Sequence, residues 1–350
     1  MPVVLVGGSI RDMLLNRDSV DIDLATPLSP TEVKVAIENQ PWCKSVIPTG
    51  IEHGTVTVVR NFTLNIILTS YVDGELQSAV NDWINDPTER QTLEETYGHI
   101  SNWDVSNVTS MSNLFKDKPF NEDISGWDVS KVSAMNGMFR NSPFNQDISG
   151  WNVPNVVDMS YMFHTNSSFN QNLNSWTITK AENMSSMFQS ATAFNGQIDG
   201  WDTSKVKYMG SMFKSATVFN QPLNNWNVSN VENMYTMFQA SVFNQSLNNW
   251  NVSTNKNMGY MFQAGTFNED ISDWNVSNVE NMRSVFADNS VFNQNISGWD
   301  VTKVTDIVAM FKGTPFDYDI SSWNLISIGD SYDNFGQNSS HSEPFFTDSN

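Results

Sequence analysis

Ile124-Ser-Gly-Trp127-Asp-Val129-Ser-Lys-Val132-Ser-Ala-Met135-Asn-Gly-Met138-Phe139, with Phe144-Asn145 five residues on, is one period of a pattern that runs down most of the chain. Its tryptophan recurs as Trp103, Trp127, Trp151, Trp176, Trp201, Trp226, Trp250, Trp274, Trp299 and Trp323, each step being 24 or 25 residues. A period of this length marks stacked supersecondary units, each too small to bury its apolar face alone. Residues 100–325 therefore read as one repeat body. Ahead of it lie a different head at 1–78 and a linker with N-terminal cap at 79–99, and behind it a C-terminal cap and polar tail at 326–350.

Within a unit, Ile124-x-x-Trp127-x-Val129 suits a short strand with Trp127 and Val129 on one face and Asp128 on the other. Val132, Met135, Met138 and Phe139 then fall at helical spacing over about two turns. Ser106, Ser130, Thr179, Ser204, Ser229, Ser253, Ser277 and Thr302 stand at the N-cap of that expected helix, and Pro154 replaces the cap once. Glu182, Glu232 and Glu280 complete a capping box at three of them. The Phe-Asn pairs, from Phe120-Asn121 to Phe292-Asn293, suggest a buried asparagine ladder bonding one turn to the next, with Asp317 breaking it in the ninth unit. The longer units carry their extra residue in this loop, so the strand register survives. The methionines (Met111, Met135, Met138, Met159, Met162 and their equivalents) read as flexible core filler, because no His or Cys joins them to make a soft-metal site.

Strand, cap, Met-Phe and Phe-Asn positions together resemble the BspA-like leucine-rich repeat in its Trp-Asp-Val-Ser-Asn-Val form, over residues 100–325. The resemblance implies an α/β fold: a leucine-rich-repeat-like right-handed solenoid of about ten strand–helix repeats. It also implies a protein of the kind displayed on surfaces for binding or adhesion. The exposed strand positions, Asp104, Asp128, Asn152, Thr177, Asp202, Asn227, Asn251, Asn275, Asp300 and Asn324, would form a row some ~45 Å long at ~4.8 Å per strand. Such a row could meet a protein, a glycan or Ca²⁺, or it could simply bond to itself and solvate the sheet.

Composition narrows the partners. Hydrophobic residues make up 39% of the 350, with twelve Trp and 22 Phe, enough for a substantial core. The net charge is −20, and both parts are acidic: 6 Lys+Arg against 14 Asp+Glu in residues 1–99, and 12 against 24 thereafter. Phosphate backbones are bound chiefly through Lys and Arg, so nucleic acid is disfavoured as a partner of the repeats. Cys43 is the single cysteine, which excludes an intrachain disulfide and a cysteine-based zinc site. No stretch approaches the ~20 apolar residues of a membrane span. The opening Met-Pro-Val-Val lacks a basic n-region. The expected location is cytoplasmic if Met1 is the true start, and surface or secreted if a signal lies upstream.

The head reads Val3-Val-Leu-Val-Gly7-Gly8-Ser9-Ile-Arg11-Asp12, then Val20-Asp21-Ile-Asp23. A buried strand entering a glycine turn and a helix start can cradle a phosphate on free backbone N–H groups. Asp21 and Asp23 alternate on the next strand, so both carboxylates share a face, as a Mg²⁺-bridged triphosphate requires. Together with His53-Gly54-Thr55-Val56, these residues resemble the head of class II tRNA nucleotidyltransferases and bacterial poly(A) polymerases. That resemblance implies a partial α+β nucleotidyltransferase fold, with Gly7, Gly8, Ser9, Arg11 and Asp12 on the nucleotide and Asp21 and Asp23 on Mg²⁺. The family pattern is incomplete. Val59 runs straight into Arg60-Asn61-Phe62-Thr63-Leu64-Asn65, so the strand bearing a third carboxylate is missing, and Asn61 stands where the later motif has Asp. The nucleotide-selecting neck and RNA-binding body are also absent, since Trp103 already opens the repeats. Two functions follow: an interaction protein with a degenerate head, or an RNA-processing nucleotidyltransferase that uses its repeats for targeting.

Overall fold

The computed structural model describes residues 45–48, 55–59, 63–67, 70–328, 333, 335 and 336. Two compact units form, one from residues up to Tyr71 together with Trp103–Asn107, the other from Val72–Asn102 and Val108 onward. In the first, strands β1 (Ser45–Pro48), β2 (Thr55–Val59) and β3 (Thr63–Ile67) make an antiparallel sheet in the order β1-β2-β3. β-branched residues fill most of β2, which favours the pleated backbone. Ser45 pairs with Val59, and Val59 pairs in turn with Thr63. The same unit holds a parallel bridge between Ser70 and Asp104, with the Tyr71 N–H donating to the Asp104 carbonyl at 2.9 Å.

The second unit opens with helices α1 (Asp73–Asn85) and α2 (Pro87–Tyr97), followed by a 3-10 turn at Ile100–Asn102. Leu76, Ala79, Val80 and Trp83 are buried, the i, i+3, i+4, i+7 stripe of an amphipathic helix. Asp86 ends α1 and caps α2, its side chain accepting from the Thr88 and Glu89 N–H groups ahead of Pro87 at the first helical position. The polar stretch 82–99 is therefore largely helical. Two contacts dock it on the first coil. Asp73 accepts from Thr109 N–H, Thr109 O–H and Ser110 N–H at 2.6, 2.8 and 3.0 Å. Glu122 accepts from Trp83 Nε1 at 3.0 Å and pairs with Arg90 and His99, while Arg90 lies 4.3 Å over the Trp83 ring.

Each following period is one coil, hydrogen-bonded to the next. The bridge residues run Ser110, Ala134, Asp158, Asn183, Tyr208, Asn233, Asn257, Asn281 and Asp306, each parallel to its neighbour. Here the local expectation from sequence needs correcting. The parallel pairing lies in the segment read as helix, not at Trp-x-Val, and no α-helix occurs among the described residues beyond Asn102. The N–H groups of Met135, Gly137, Phe139 and Asn141 donate to Asp158, Ser160, Met162 and His164 of the next coil at 2.8–2.9 Å. Those of Met138, Arg140 and Ser142 donate within the coil to the carbonyls three residues back, at 3.1–3.3 Å. With every second amide committed to a neighbour, the i→i−4 ladder of a helix cannot form. A two-turn helix is in any case too short to repay its nucleation.

The alternation is made possible by left-handed residues at two places per coil, Gly137 and Asn141 in one and Tyr161 and Thr165 in the next. The core then stacks in columns. Phe115, Phe139, Phe163, Phe188, Phe213, Phe238, Phe262, Phe286 and Phe311 lie 5.5–6.0 Å from one another down the stack. From Trp127 to Trp299 the indoles are 2–5% exposed. Each donates its Nε1–H to a carbonyl of the preceding coil, for example Trp127 to Ile100 at 2.9 Å and Trp201 to Leu173 at 2.8 Å. This satisfies a buried donor and locks one coil's register to the next.

The Phe-Asn ladder forms, but exposed or half-buried rather than buried. Asn121, Asn145, Asn170, Asn195, Asn220, Asn244 and Asn268 each accept from the N–H of the next ladder residue at 2.8–3.0 Å. At Asp317 the bond lengthens to 3.3 Å. Two fully buried asparagines serve longer loops instead: the Nδ2 groups of Asn166 and Asn289 each donate to a carbonyl of the previous coil at 2.9 Å.

Candidate functional site

Gly7, Gly8, Ser9, Arg11, Asp12, Asp21, Asp23, His53 and Gly54 lie outside the described residues. The surface row of the coils is described, and it is built by a local rule. Asp128 Oδ1 accepts from the Ser130 N–H two residues on, at 3.0 Å, and Asp202 does the same with Ser204 at 3.0 Å. Asn251 and Asn275 accept from Ser253 and Ser277 at 3.1 and 3.2 Å. Asn227 and Asp300 accept from both the N–H and the hydroxyl of Ser229 and Thr302. These are Asx turns. The serine expected to cap a helix is thus the donor, and the preceding Asp or Asn is the cap. Asn152 lacks the bond because Pro154 has no N–H to give.

From Asp128 to Asp300 the row is exposed, while Asp104 belongs to the first unit and is half-buried. Hydrogen bonds from the hydroxyl and then the N–H of Ser130, Ser204 and Thr302 hold the carboxyls of Asp128, Asp202 and Asp300 below their ordinary value. They therefore stay ionised at neutral pH. Three and four coils separate these carboxylates, roughly 14 and 19 Å at ~4.8 Å per coil. That is too far to share a divalent ion, and among the described residues no group of three His, Cys, Asp or Glu could hold a metal. The row can offer spaced acceptors and amides, not a Ca²⁺ cage.

Two further rows escaped the sequence reading. Asp123, Asp147 and Asp270 make the same turn with Ser125, Ser149 and Ser272, each at 2.9 Å, and the recurring Asp-x-Ser was the signal. The Glu residues read as capping boxes instead form a charge-alternating column, Glu182, Lys207, Glu232, Lys256, Glu280. Its backbone is linked coil to coil, and its ion pairs are Lys207–Glu182 at 2.8 Å and Lys256–Glu232 at 3.9 Å. No helix among the described residues is long and apolar enough to cross a membrane.

Comparison with known proteins gives two family matches, the head match running on into α1. The family described as a Mycoplasma protein of unknown function, DUF285, matches residues 89–196, 176–266 and 257–347. The poly A polymerase head domain matches residues 3–82. The CCA-adding enzyme of Lactobacillus gasseri is 52% identical over 54 residues, 15% of this chain and 12% of that enzyme. That of Oceanobacillus iheyensis is 48% identical over 71 residues, 20% of this chain and 16% of its own. The Listeria monocytogenes enzyme is 45% identical over 69 residues, again 20% and 16%. This chain thus spans under a sixth of the length of these curated relatives. No solved structure matches.

Proposed function

The chain belongs to the DUF285 family, and from that premise we propose that its coils are a binding surface and its head a degenerate nucleotidyltransferase. The observation that carries this is the row from Asp128 to Asp300. Six of its side chains, all but Asn152 and Thr177, are held by Asx turns on coils whose indoles each bond the preceding coil. A rigid, regular, hydrogen-bonding surface loses little conformational entropy when a partner docks. The partner class is a protein or a glycan, with nucleic acid disfavoured by the acidic composition. We read the winding as a right-handed solenoid of the BspA-like leucine-rich-repeat type. A crystal structure with left-handed winding would contradict that assignment.

For the head, the sequence supplies Gly7-Gly8 and the Asp21–Asp23 pair but not the third carboxylate, the neck or a basic RNA track. Phosphoryl transfer depends on aligning the attacking hydroxyl as much as on holding the metal. The head is therefore expected to bind Mg²⁺–nucleotide weakly at best. The alternative is an RNA-processing enzyme with the coils as a targeting surface, favoured by the local identity to CCA-adding enzymes and by the head-domain match over residues 3–82, which include the Gly-Gly and Asp-x-Asp motifs. Titration calorimetry of the full chain with Mg²⁺–ATP and Mg²⁺–CTP separates the two. Millimolar or absent binding supports the degenerate head. Micromolar binding lost in Asp21→Ala/Asp23→Ala would favour the enzyme.

A further inference from the structure

The coil face that carries the bridge residues is mostly small and polar; one coil presents Tyr161 alone, 42% exposed, and three consecutive coils further along present a group of tyrosines. There it presents Tyr208, 45% exposed, Tyr235, 39% exposed, and the half-buried Tyr260. The Tyr235 and Tyr260 rings meet edge to face with centroids 5.5 Å apart. The neighbouring coils leave room for the Tyr235 ring. Gly210 and Gly259 stand at the position of Tyr235 in the coils before and after it, and neither has the positive φ that would demand glycine. A Cβ on Gly259 would lie 3.2 Å from Tyr235 Cδ2 and 3.0 Å from Asn281 Oδ1, so this glycine supplies room. Tyr260 holds a positive φ, 60, as the residue at this position does in every coil from Asn113 to Ala309, and its hydroxyl accepts from Arg283 Nε at 2.9 Å.

Amides line the rings. Asn233, Asn257 and Asn281 each accept from the N–H two residues on, at 2.8, 3.1 and 2.9 Å, which commits the oxygen and offers the Nδ2 hydrogens as donors. The neighbouring charges neutralise one another: Lys207 with Glu182, Lys256 with Glu232, and Arg283 with Asp306 at 3.4 Å. With exposed Glu280 counted, four carboxylates meet three basic groups, so this strip is close to neutral on a chain of net charge −20. A polyanion is repelled by the whole molecule and finds the strip's arginine already engaged, and a polycation finds three of its four carboxylates paired. The complement that remains is a neutral ligand with apolar C–H faces for the rings and hydroxyls for the amides. Pyranose sugars have that chemistry. The ~4.8 Å coil spacing is also close to the length of one sugar residue, so successive coils can meet successive units.

We propose that the strip of Tyr208, Tyr235 and Tyr260 with Asn233, Asn257 and Asn281 binds a neutral polysaccharide. This rests on the coils being a binding surface, but it places the ligand on a different face from the Asp128–Asp300 row. The test is native affinity electrophoresis of the full chain in gels containing neutral glucan, mannan, xylan or galactan. Parallel gels contain the anionic polysaccharides heparin and alginate. At least one neutral gel should retard the protein. Tyr235→Ala and Tyr260→Ala should weaken that retardation about tenfold or more, the worth of a lost stacking ring. Tyr318→Ala, an exposed ring elsewhere, should leave it unchanged. Unchanged circular dichroism and urea midpoints show that the variants are folded. No retardation in any neutral gel overturns the proposal, as does retardation only by the anionic gels. Retardation that ignores both tyrosine variants but is lost in Asp202→Lys/Asn227→Lys overturns the strip while sparing the reading of the coils as a binding surface.

Discussion

Trp201→Ala probes the inward column where its contributions can be counted. The side chain is 3% exposed and stacks on Trp176 at 6.3 Å and Trp226 at 6.0 Å, so it serves both neighbouring coils. Emptying a large aromatic core site costs about 3–5 kcal/mol. The change also removes one of two hydrogen bonds to the Leu173 carbonyl, which accepts from Nε1 at 2.8 Å and keeps the Trp176 N–H at 3.1 Å, adding about 0.5–1.5 kcal/mol in part overlap. The expected loss is about 3–6 kcal/mol on those two principles. Trp201→Phe keeps a stacking ring and should lose about 1–3 kcal/mol, from the smaller side chain and the lost Nε1 hydrogen bond. The adjacent Asp202 faces solvent, and Asn retains its acceptor for Ser204, so Asp202→Asn should stay within about 0.5 kcal/mol. Urea unfolding followed by near-ultraviolet circular dichroism compares midpoint and slope, because a stack broken in the middle need not melt in one step. Equal midpoint losses in Trp201→Ala and Asp202→Asn would refute the assignment of inner and outer faces.

Other outcomes follow from particular atoms. Asn255 is fully buried in a column that has Val231 before it and Val279 after it; its Oδ1 has no partner and its Nδ2 reaches Val231 O only at 3.4 Å. Asn255→Val should therefore stabilise the chain by about 1–3 kcal/mol in a denaturant titration. Gly137 sits at φ 64, and an added Cβ would meet Asn113 Oδ1 at 2.5 Å; Gly137→Ala should lower the thermal midpoint, by about 1–2 kcal/mol from backbone strain alone. Because the folded carboxyls of Asp128 and Asp202 lie below their ordinary 3.8, they contribute stability above that pH and lose it as pH falls through the lower folded value. A pH series of urea midpoints should be flat near neutrality and drop in acid. The drop should be shallower in Asp128→Asn/Asp202→Asn.

The tryptophan period was legible because each indole must meet the same neighbour in every coil, so the residue itself must recur. The extra residue of the long units was legible for the converse reason: Asn166 shows a loop can absorb it by bonding the Phe144 carbonyl. What misled was the Met135, Met138, Phe139 spacing, which a helix shares with a run of i→i+3 turns. The parity of the amides that decides between them leaves no mark on the side chains. Nor do the left-handed positions announce themselves, since Tyr161, Thr236 and Ala240 occupy slots where glycine or asparagine would have signalled a turn. Asp128-x-Ser130 was visible, but it was read with donor and acceptor exchanged. In the cap, Asp86-Pro87 is a helix-start signal that polar composition obscured. Site residues of the head lie outside the described residues, so their reading rests on sequence alone.

Whether function resides on the coils or in the head is tested most directly by nucleotide incorporation. The purified full chain is incubated with Mg²⁺, labelled CTP or ATP, and tRNA lacking its 3′ end. The Asp21→Ala/Asp23→Ala variant and an active CCA-adding enzyme run alongside. The account expects no incorporation above the variant's background. Addition of CCA or AMP to the RNA 3′ end by the native chain, abolished in the double variant, would contradict it.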